Sequence, residues 1–168
     1  MFVLGIDPGL TRCGFGLVRR SRGQGHFEAI SAGVLETKPG DPIELRLAVM
    51  HADLEELLDD TKPDVVVIER IFSQANLTSV VSVAQASGLV LALAARRGIP
   101  VAHYSPNEVK LNVAGSGSAD KRDVQGMVAR LCGLSEPPSP PDVADALALA
   151  ICYLSAAPVA NAVKAAAR

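Results

Sequence analysis

Cysteine, aromatic residues and long apolar runs are all scarce in this sequence. The three cysteines are scattered and include no Cys-X-X-Cys pair, which argues against a disulfide framework and against a zinc-binding knuckle. The nearest approach to a membrane span, Val80–Ala95, is interrupted by serine and glutamine. The N-terminus leads directly into a predicted strand, without a basic leader segment. These absences predict a reduced, cytoplasmic domain with no membrane association.

An excess of basic charge is also absent. The net charge is −2 and the isoelectric point is near 5.9, values that do not by themselves indicate a nucleic-acid-binding protein. Basic residues occur in local pairs such as Arg96–Arg97, and each pair taken alone is most simply a solvated surface. Charge alone therefore neither identifies nor excludes a nucleic-acid partner.

Two common catalytic signatures are missing. The glycine-rich segment Gly115–Ser118 lacks the Gly-Lys-Ser/Thr ending of a phosphate-binding P-loop. The histidines, at positions 26, 51 and 103, are scattered along the chain and form no Ser-His-Asp signature. The sequence therefore predicts neither P-loop chemistry nor a serine nucleophile.

Apolar sequence, in contrast, is sufficient for one core. The 168 residues are 49% hydrophobic with a mean hydropathy of +0.27, which is typical of a single globular domain. We place this domain at residues 1–156, because the last predicted helix runs from about Asp142 to about Ala156. The alanine-rich residues 157–168 are expected to form a loose C-terminal tail.

The order of the predicted elements indicates an α/β fold built on a five-stranded mixed sheet. Three strands joined by short turns should form an antiparallel meander. Two further strands alternate with helices, and the apolar sequence of the first predicts parallel strands covered on both faces. The strands are predicted at residues 1–7, 13–19, 26–37, 65–68 and 101–104. The flanking helices are predicted at residues 42–60, 77–97, 106–113, 119–131 and 142–156.

Four acidic residues lie at the ends of predicted apolar elements. Asp7 ends the first strand, Glu69 follows the strand at 65–68, and Asp142 and Asp145 begin the last helix. A buried carboxylate is costly unless a cation or hydrogen bonds compensate it, so a shared counter-charge is expected. Asp142 and Asp145 share one helix face because they are three residues apart. Carboxylates gathered in this way bind Mg²⁺ or Mn²⁺.

Each acid also has an ordinary structural explanation. Asp142 could simply begin a helix, Asp7 could begin the turn at Pro8, and Glu69 could end a strand. Asp145 is harder to explain in this way, since Asp142 already serves the helix start. Four such coincidences are a weaker explanation than one metal site. Two ions about 4 Å apart would clamp the attacking and leaving oxygens of an in-line phosphoryl displacement.

Four segments resemble motifs of the RuvC family of Holliday junction resolvases, in the order and spacing of that family. They are Gly5–Gly9, Ile68–Phe72, Gly115–Lys121 and Asp142–Ala148, and the resemblance extends from residue 1 to about residue 154. It implies an RNase H-like fold, a homodimer and a branch-migration motor as partner. It further implies paired nicking of four-way DNA junctions in recombination and repair, with two Mg²⁺ or Mn²⁺ ions per active site and 5′-phosphate and 3′-hydroxyl products.

The resemblance also assigns roles to single residues. The four acids match the catalytic metal ligands of the family, some members of which carry histidine in place of Asp145. Lys110 and Lys121 match lysines implicated near the scissile phosphate. Phe72 matches an aromatic residue that stacks on a junction base. The further candidate DNA contacts are Arg70, Asn76, Gly115, Ser116 and Lys121.

Three alternatives compete with a junction resolvase. A sugar-kinase-like or actin-like ATPase can also begin with a strand, an aspartate and a glycine turn, but it needs a second lobe. A non-catalytic junction-binding module would normally have lost one or more of the acids. A related RNase H-like nuclease acting on another structured nucleic acid, such as RNA, stays open, although the position of Phe72 argues against it.

The long helix predicted at 77–97 has apolar residues on more than one face. This excess of apolar surface is our candidate for the dimer interface. Burial against the sheet of the same chain is the competing explanation.

Overall fold

The described part of the chain comprises residues 1–21, 26–70 and 77–166 of a computed structural model. Within these ranges the chain forms five strands and five helices. The strands are β1 (Phe2–Asp7), β2 (Arg12–Arg20), β3 (Phe27–Glu36), β4 (Val65–Glu69) and β5 (Val101–Tyr104). The helices are α1 (Ile43–Thr61), α2 (Leu77–Arg96), α3 (Pro106–Ala114), α4 (Lys121–Cys132) and α5 (Pro141–Ala166).

The strands form one mixed sheet in the order β3-β2-β1-β4-β5. β1, β2 and β3 pair antiparallel, whereas β4 is parallel to β1 and β5 is parallel to β4. The predicted meander followed by parallel strands is therefore confirmed. In the β1–β4 pair Ile6 lies opposite Ile68, so Asp7 and Glu69, the last residues of their strands, lie at the same end of the sheet.

Helices cover both faces of this sheet. On one face Val66 and Ile68 of β4 pack with buried residues of α1 and α2, among them Leu54 and Leu93. On the other face alternate residues of β4, such as Val67, join a cluster with α3, α4 and α5. β4 is thus apolar throughout because both of its faces are buried, as its sequence predicted.

Small residues bring the first half of α5 very close to β1 and β2. A Cβ atom added to Gly5 would collide with the backbone of Ala146. One added to Gly14 would meet the backbone of Asp142, whose carbonyl carbon would lie 2.7 Å away. Gly14 is the residue of β2 that pairs with Asp7 of β1. The close contact of α5 with the sheet therefore places the start of that helix beside the end of β1.

The helix bounds agree with the sequence prediction to within two residues, except at the end of α5. That helix was predicted to stop near Ala156 but continues to Ala166, past Pro158. Alanine has the highest helix propensity, and the alanine-rich sequence that suggested a loose tail is also favourable for helix. The predicted helix end is therefore wrong, and the loose tail stays a prediction. The domain bound at residue 156 stays a prediction.

α2 has one buried and one exposed apolar side. Val90 and Leu93 are buried against the sheet side, whereas the side chains of Val81 and Leu91 are 55% and 37% exposed. Burial against the sheet of the same chain therefore accounts for one side of the helix, and a dimer interface on the other side stays a prediction. Across the described helices, none combines the length and apolar character needed to cross a membrane.

Candidate active site

Four carboxylates gather where β1 and β4 end and α5 begins. Asp7 is the last residue of β1 and Glu69 the last residue of β4, and both are half-buried. Asp142 and Asp145 lie in the first turns of α5, three residues apart and also half-buried. The parallel pairing of β1 with β4 and the close packing of α5 on β2 bring these three elements together. The four acids singled out in the sequence therefore belong to one site.

Asp7 lies at the electrostatic centre of this group. The pKa of Asp7 is raised from 3.8 to about 7, mainly by burial and then by the charges of Asp145, Glu69 and Asp142, in that order of size. Burial also raises the pKa of Glu69, with a second contribution from Asp145. Lys121 opposes both shifts. Negative charge therefore exceeds the local positive charge, which is the condition that favours a bound cation.

Two cationic side chains are already paired with the acids of α5. Lys121 Nζ donates a hydrogen bond of 2.7 Å to Asp145 Oδ2, and this bond is the main cause of a raised pKa for Lys121. Arg12 Nη2 lies 3.0 Å from Asp142 Oδ2. Lys121 reaches the site as the first residue of α4, which starts there because Asp120 caps the helix by accepting the backbone N–H of Asp123.

Arg12 was missed in the sequence analysis. It is the first residue of β2, and because β2 runs antiparallel to β1, its position is beside the end of β1 and therefore beside Asp7. The available signal was a basic residue at the start of the strand that follows an acid-terminated strand. Asp142 lies in the first turn of α5, as a helix-start role requires, but its carboxylate pairs with Arg12.

A cavity of about 280 Å³ opens beside the acids. Glu69 and Asp145 line it together with both predicted lysines, Lys110 of α3 and Lys121 of α4. Its floor is apolar and includes Leu149 of α5. Cationic groups next to an apolar surface suit a nucleotide, whose phosphate is anionic and whose sugar and base have apolar faces.

The remaining predicted DNA contacts are not part of this cavity. The backbone N–H of Arg70 donates to the Tyr104 carbonyl oxygen at 2.7 Å. The pKa of Glu108 is lowered mainly by hydrogen bonds with Ser105, with a smaller contribution from the charge of Arg70. Gly115 ends α3 with a φ of 77°, and Ser116 lines a different groove. Phe72 and Asn76 lie outside the described residues, so their roles stay predictions.

The donor set suits a hard divalent cation, but the acids are not assembled around one. Carboxylate oxygens are the ligands that Mg²⁺ and Mn²⁺ prefer. As they stand, the side chains of the described residues form no group of three His, Cys, Asp or Glu that could hold a metal ion. Asp142 instead forms an ion pair with Arg12, and Asp145 forms one with Lys121. The chemistry of the site therefore fits a metal ion, provided that these two acids change partner.

Comparison with known proteins identifies the family. The family described as crossover junction endodeoxyribonuclease RuvC matches residues 3–153, a range that contains all four acids and both lysines. The chain belongs to the RuvC family. A crossover junction endodeoxyribonuclease RuvC of Saccharopolyspora erythraea is 50% identical over 161 residues, which cover 96% of this chain and 80% of the relative.

Solved structures agree with this assignment. RuvC of Thermus thermophilus is 36% identical and superposes with a TM-score of 0.87, covering 95% of this chain and 97% of that chain. The structure of T. thermophilus RuvC in complex with a Holliday junction substrate gives a TM-score of 0.88 at the same identity, covering 95% and 96% of the two chains. The RNase H-like fold expected from the motifs is confirmed.

Proposed function

We propose that this member of the RuvC family is an endodeoxyribonuclease that resolves four-way (Holliday) DNA junctions in recombination and repair. The observation that carries the proposal is the gathering of Asp7, Glu69, Asp142 and Asp145 at one edge of an RNase H-like sheet. Support comes from the 50% identity to a crossover junction endodeoxyribonuclease and from the fold shared with a RuvC solved with a Holliday junction.

The four acids are the residues that would hold Mg²⁺ or Mn²⁺, with two ions per site. The raised pKa of Asp7 and of Glu69 supports this assignment, since burial and then the neighbouring carboxylates disfavour their charged forms and a cation would relieve both effects. Bound ions would supply Lewis-acid stabilisation of the phosphoryl oxygens and would promote ionisation of the attacking water.

The lysines of the cavity would position the scissile phosphodiester. Lys121, once separated from Asp145, can donate to a non-bridging phosphate oxygen, and Lys110 lines the same cavity from α3. In the reaction the water oxygen bonds to phosphorus as the bond from phosphorus to the 3′ oxygen breaks. The water loses one proton and the 3′ oxygen gains one. The products are a 5′-phosphate and a 3′-hydroxyl.

Symmetric cutting of a junction requires two active sites that face two strands, so we include a homodimer in the proposal. The exposed apolar side of α2, which carries Val81 and Leu91, is the surface that we assign to the interface. It lies on the opposite face of the sheet from α3, α4 and α5, so it would leave both active sites accessible to DNA. A branch-migration motor is the further partner that we propose.

The test is a gel assay of the purified chain on a synthetic four-way junction, with a linear duplex of the same sequence as control. We expect paired nicks in the junction with Mg²⁺ or Mn²⁺ and none with EDTA. Equal cleavage of the linear duplex would contradict the substrate, and cleavage in EDTA would contradict the metal requirement. Binding of the junction without cleavage under every condition would instead indicate a non-catalytic junction-binding module.

A further inference from the structure

A second groove runs along the outer side of α4, and it shares no lining residue with the cavity beside the acids. Its volume is about 550 Å³. It is lined by Ser116 and Ser118, which follow α3, and by Arg122, Gly126 and Arg130 of α4. The groove therefore carries two hydroxyl groups, and two guanidinium groups separated along α4 by a residue without a side chain.

The two arginines of the groove differ from other arginines of the chain. Arg12 and Arg19 form ion pairs of 3.0 Å and 2.7 Å with neighbouring acids. Arg122 and Arg130 are exposed, and among the described residues neither takes part in an ion pair. Their charge is therefore available to an anionic partner.

The single acid that lines the groove is engaged elsewhere. Asp123 Oδ2 accepts the backbone N–H of Asp120 at 3.1 Å, as part of the capping box that starts α4. Its carboxylate thus has a structural role at the start of the helix. The two arginines leave the groove with net positive charge after Asp123 is counted.

Packing within the fold does not require glycine at position 126. A Cβ atom at this position would meet nothing within 4 Å, and glycine in a helix interior is less stable than alanine. Arg122, Gly126 and Arg130 are spaced by four residues and so lie on one side of α4. The two arginines are about 12 Å apart along the helix axis. One DNA strand advances about 3.4 Å per phosphate, so this distance spans three to four phosphates.

We propose that this groove holds the sugar–phosphate backbone of the DNA arm that leads to the cleaved strand. Arg122 and Arg130 contact phosphates, and Gly126 allows close approach. Ser116 and Ser118 share a hydrogen bond of 2.9 Å between their hydroxyl groups, and the hydroxyl that accepts in this bond donates its own proton to a phosphate oxygen. α4 connects the two sites, because Lys121 at its first position reaches Asp145 in the active site. Arg130 is about 14 Å further along the axis, which corresponds to about four phosphates from the cut. The inference rests on the proposed function.

The first experiment measures junction binding in EDTA at several salt concentrations. In the Arg122→Gln/Arg130→Gln variant we expect affinity at low salt to fall more than about tenfold. The slope of log K against log salt should decrease by about one for each arginine. Cleavage at a junction concentration well below Kd should fall in step with the affinity, because less junction is bound. Arg96→Gln, an exposed arginine of α2 on the other face of the sheet, is the matched control and should bind as the unmodified chain does.

Gly126→Ala tests the α4 side of the groove without changing its charge. The methyl group should raise the melting temperature, because alanine is the better helix former and the space is open. It should at the same time weaken junction binding several-fold. A variant that gains stability and binds DNA as before would show that no backbone approaches Gly126.

The second experiment locates the phosphates. Junctions with one uncharged methylphosphonate linkage are bound to the unmodified chain and to the Arg130→Gln variant. Neutralising the phosphate about four steps from the cut should weaken junction binding by the unmodified chain and leave binding by the variant almost unaffected. If the losses of affinity from the methylphosphonate and from Arg130→Gln add at every position, or if the salt slope is unchanged, the groove proposal is overturned. Failure of the proposed function would look different, because the unmodified chain would then not cleave the junction at all.

Discussion

The two faces of the sheet are packed in different ways, and the difference explains where the active site lies. On the α1 and α2 face, large side chains such as Leu54, Leu58 and Leu93 fill the space between helix and strand. On the other face, α5 approaches the sheet at Gly5 and Gly14 with almost no side chain between the two backbones. Large side chains keep a helix at a distance, whereas small ones bring polar groups at its start against the strands. Small-residue packing therefore builds the carboxylate site.

The largest expected effect concerns the charged edge that this packing creates. Asp7→Asn removes the acid whose pKa the other three raise. It should lower the rate of junction cleavage by roughly three orders of magnitude, because several kcal/mol of transition-state stabilisation are lost. Junction binding in EDTA should persist. Cleavage and mobility-shift gels measure the two effects. Asp59→Asn, on α1, is the matched control, and retained cleavage by Asp7→Asn would contradict the metal proposal.

A single methyl group tests the close packing itself. Gly14→Ala places a Cβ against the backbone of Asp142, so α5 must shift at a cost of about 1–3 kcal/mol in the free energy of unfolding. The matched change on the other face is Gly88→Ala in α2, where space is open and alanine should stabilise the helix by about 0.5–1 kcal/mol. Chemical denaturation measures both. Similar results for the two glycines would remove the contrast between the faces.

The pH dependence of stability should be specific to the acid-bearing face. The folded-state pKa of Asp7 is about 7, against 3.8 for the ordinary group, so the folded protein retains a proton that the unfolded chain has released. The contribution of Asp7 to the free energy of unfolding is therefore fully present below about pH 4 and is lost as the pH rises to about 7, a change of a few kcal/mol. Thermal unfolding in EDTA measures the fall, and Asp7→Asn should reduce it. Parallel curves for the two proteins would show that Asp7 is not the cause.

A substitution on the α1 and α2 face should change the oligomeric state of the protein and not its catalytic chemistry. Val81→Asp places a charge on the exposed side of α2 and should convert the proposed dimer to monomer, since burying an unpaired charge is strongly unfavourable. Sedimentation velocity measures the change. Leu111→Asp, at an equally exposed leucine of α3, should leave the dimer intact. A dimer that persists in Val81→Asp would locate the interface elsewhere.

The smallest effect is expected from the ion pair beside the acids. Arg12→Gln should destabilise the metal-free protein by about 1 kcal/mol or less, because the pair is partly exposed. It should also strengthen Mn²⁺ binding, since one cation fewer repels the metal. Calorimetric titration measures this affinity. Arg19→Gln breaks a comparable pair with Glu28 away from the site and should leave Mn²⁺ binding unchanged. A weaker Mn²⁺ affinity in Arg12→Gln would show that Arg12 orders Asp142 for the metal.

Patterns that are local in the sequence were predicted well. β4 was recognised from its continuous apolar run, and the four acids were recognised because charge at the end of an apolar element needs compensation. The pairing of Arg12 with Asp142 was not predicted, because it joins residues that are distant in the chain and depends on strand direction. The predicted end of α5 was wrong, because an alanine-rich sequence without a charge pattern is compatible with a helix and with a loose tail.

The close contacts at Gly5 and Gly14 were also beyond the sequence analysis. A glycine in a strand can mark a turn, a bulge or a close approach, and the sequence does not distinguish them. Only the position of α5 shows that these glycines provide space for a helix backbone.

The position of β1 in the sheet has a consequence for hydrogen exchange. β1 is paired along both of its edges, to β2 and to β4, so its amides should open only with global unfolding. Asp142 lies instead in the first turn of a helix, where the backbone amides lack intrahelical partners and opening is frequent. Asp7 is thus held on the slowest-exchanging strand, whereas Asp142 lies at a helix start that should exchange earlier. An exchange of partners by Asp142, from Arg12 to a captured ion, would therefore take place without opening β1.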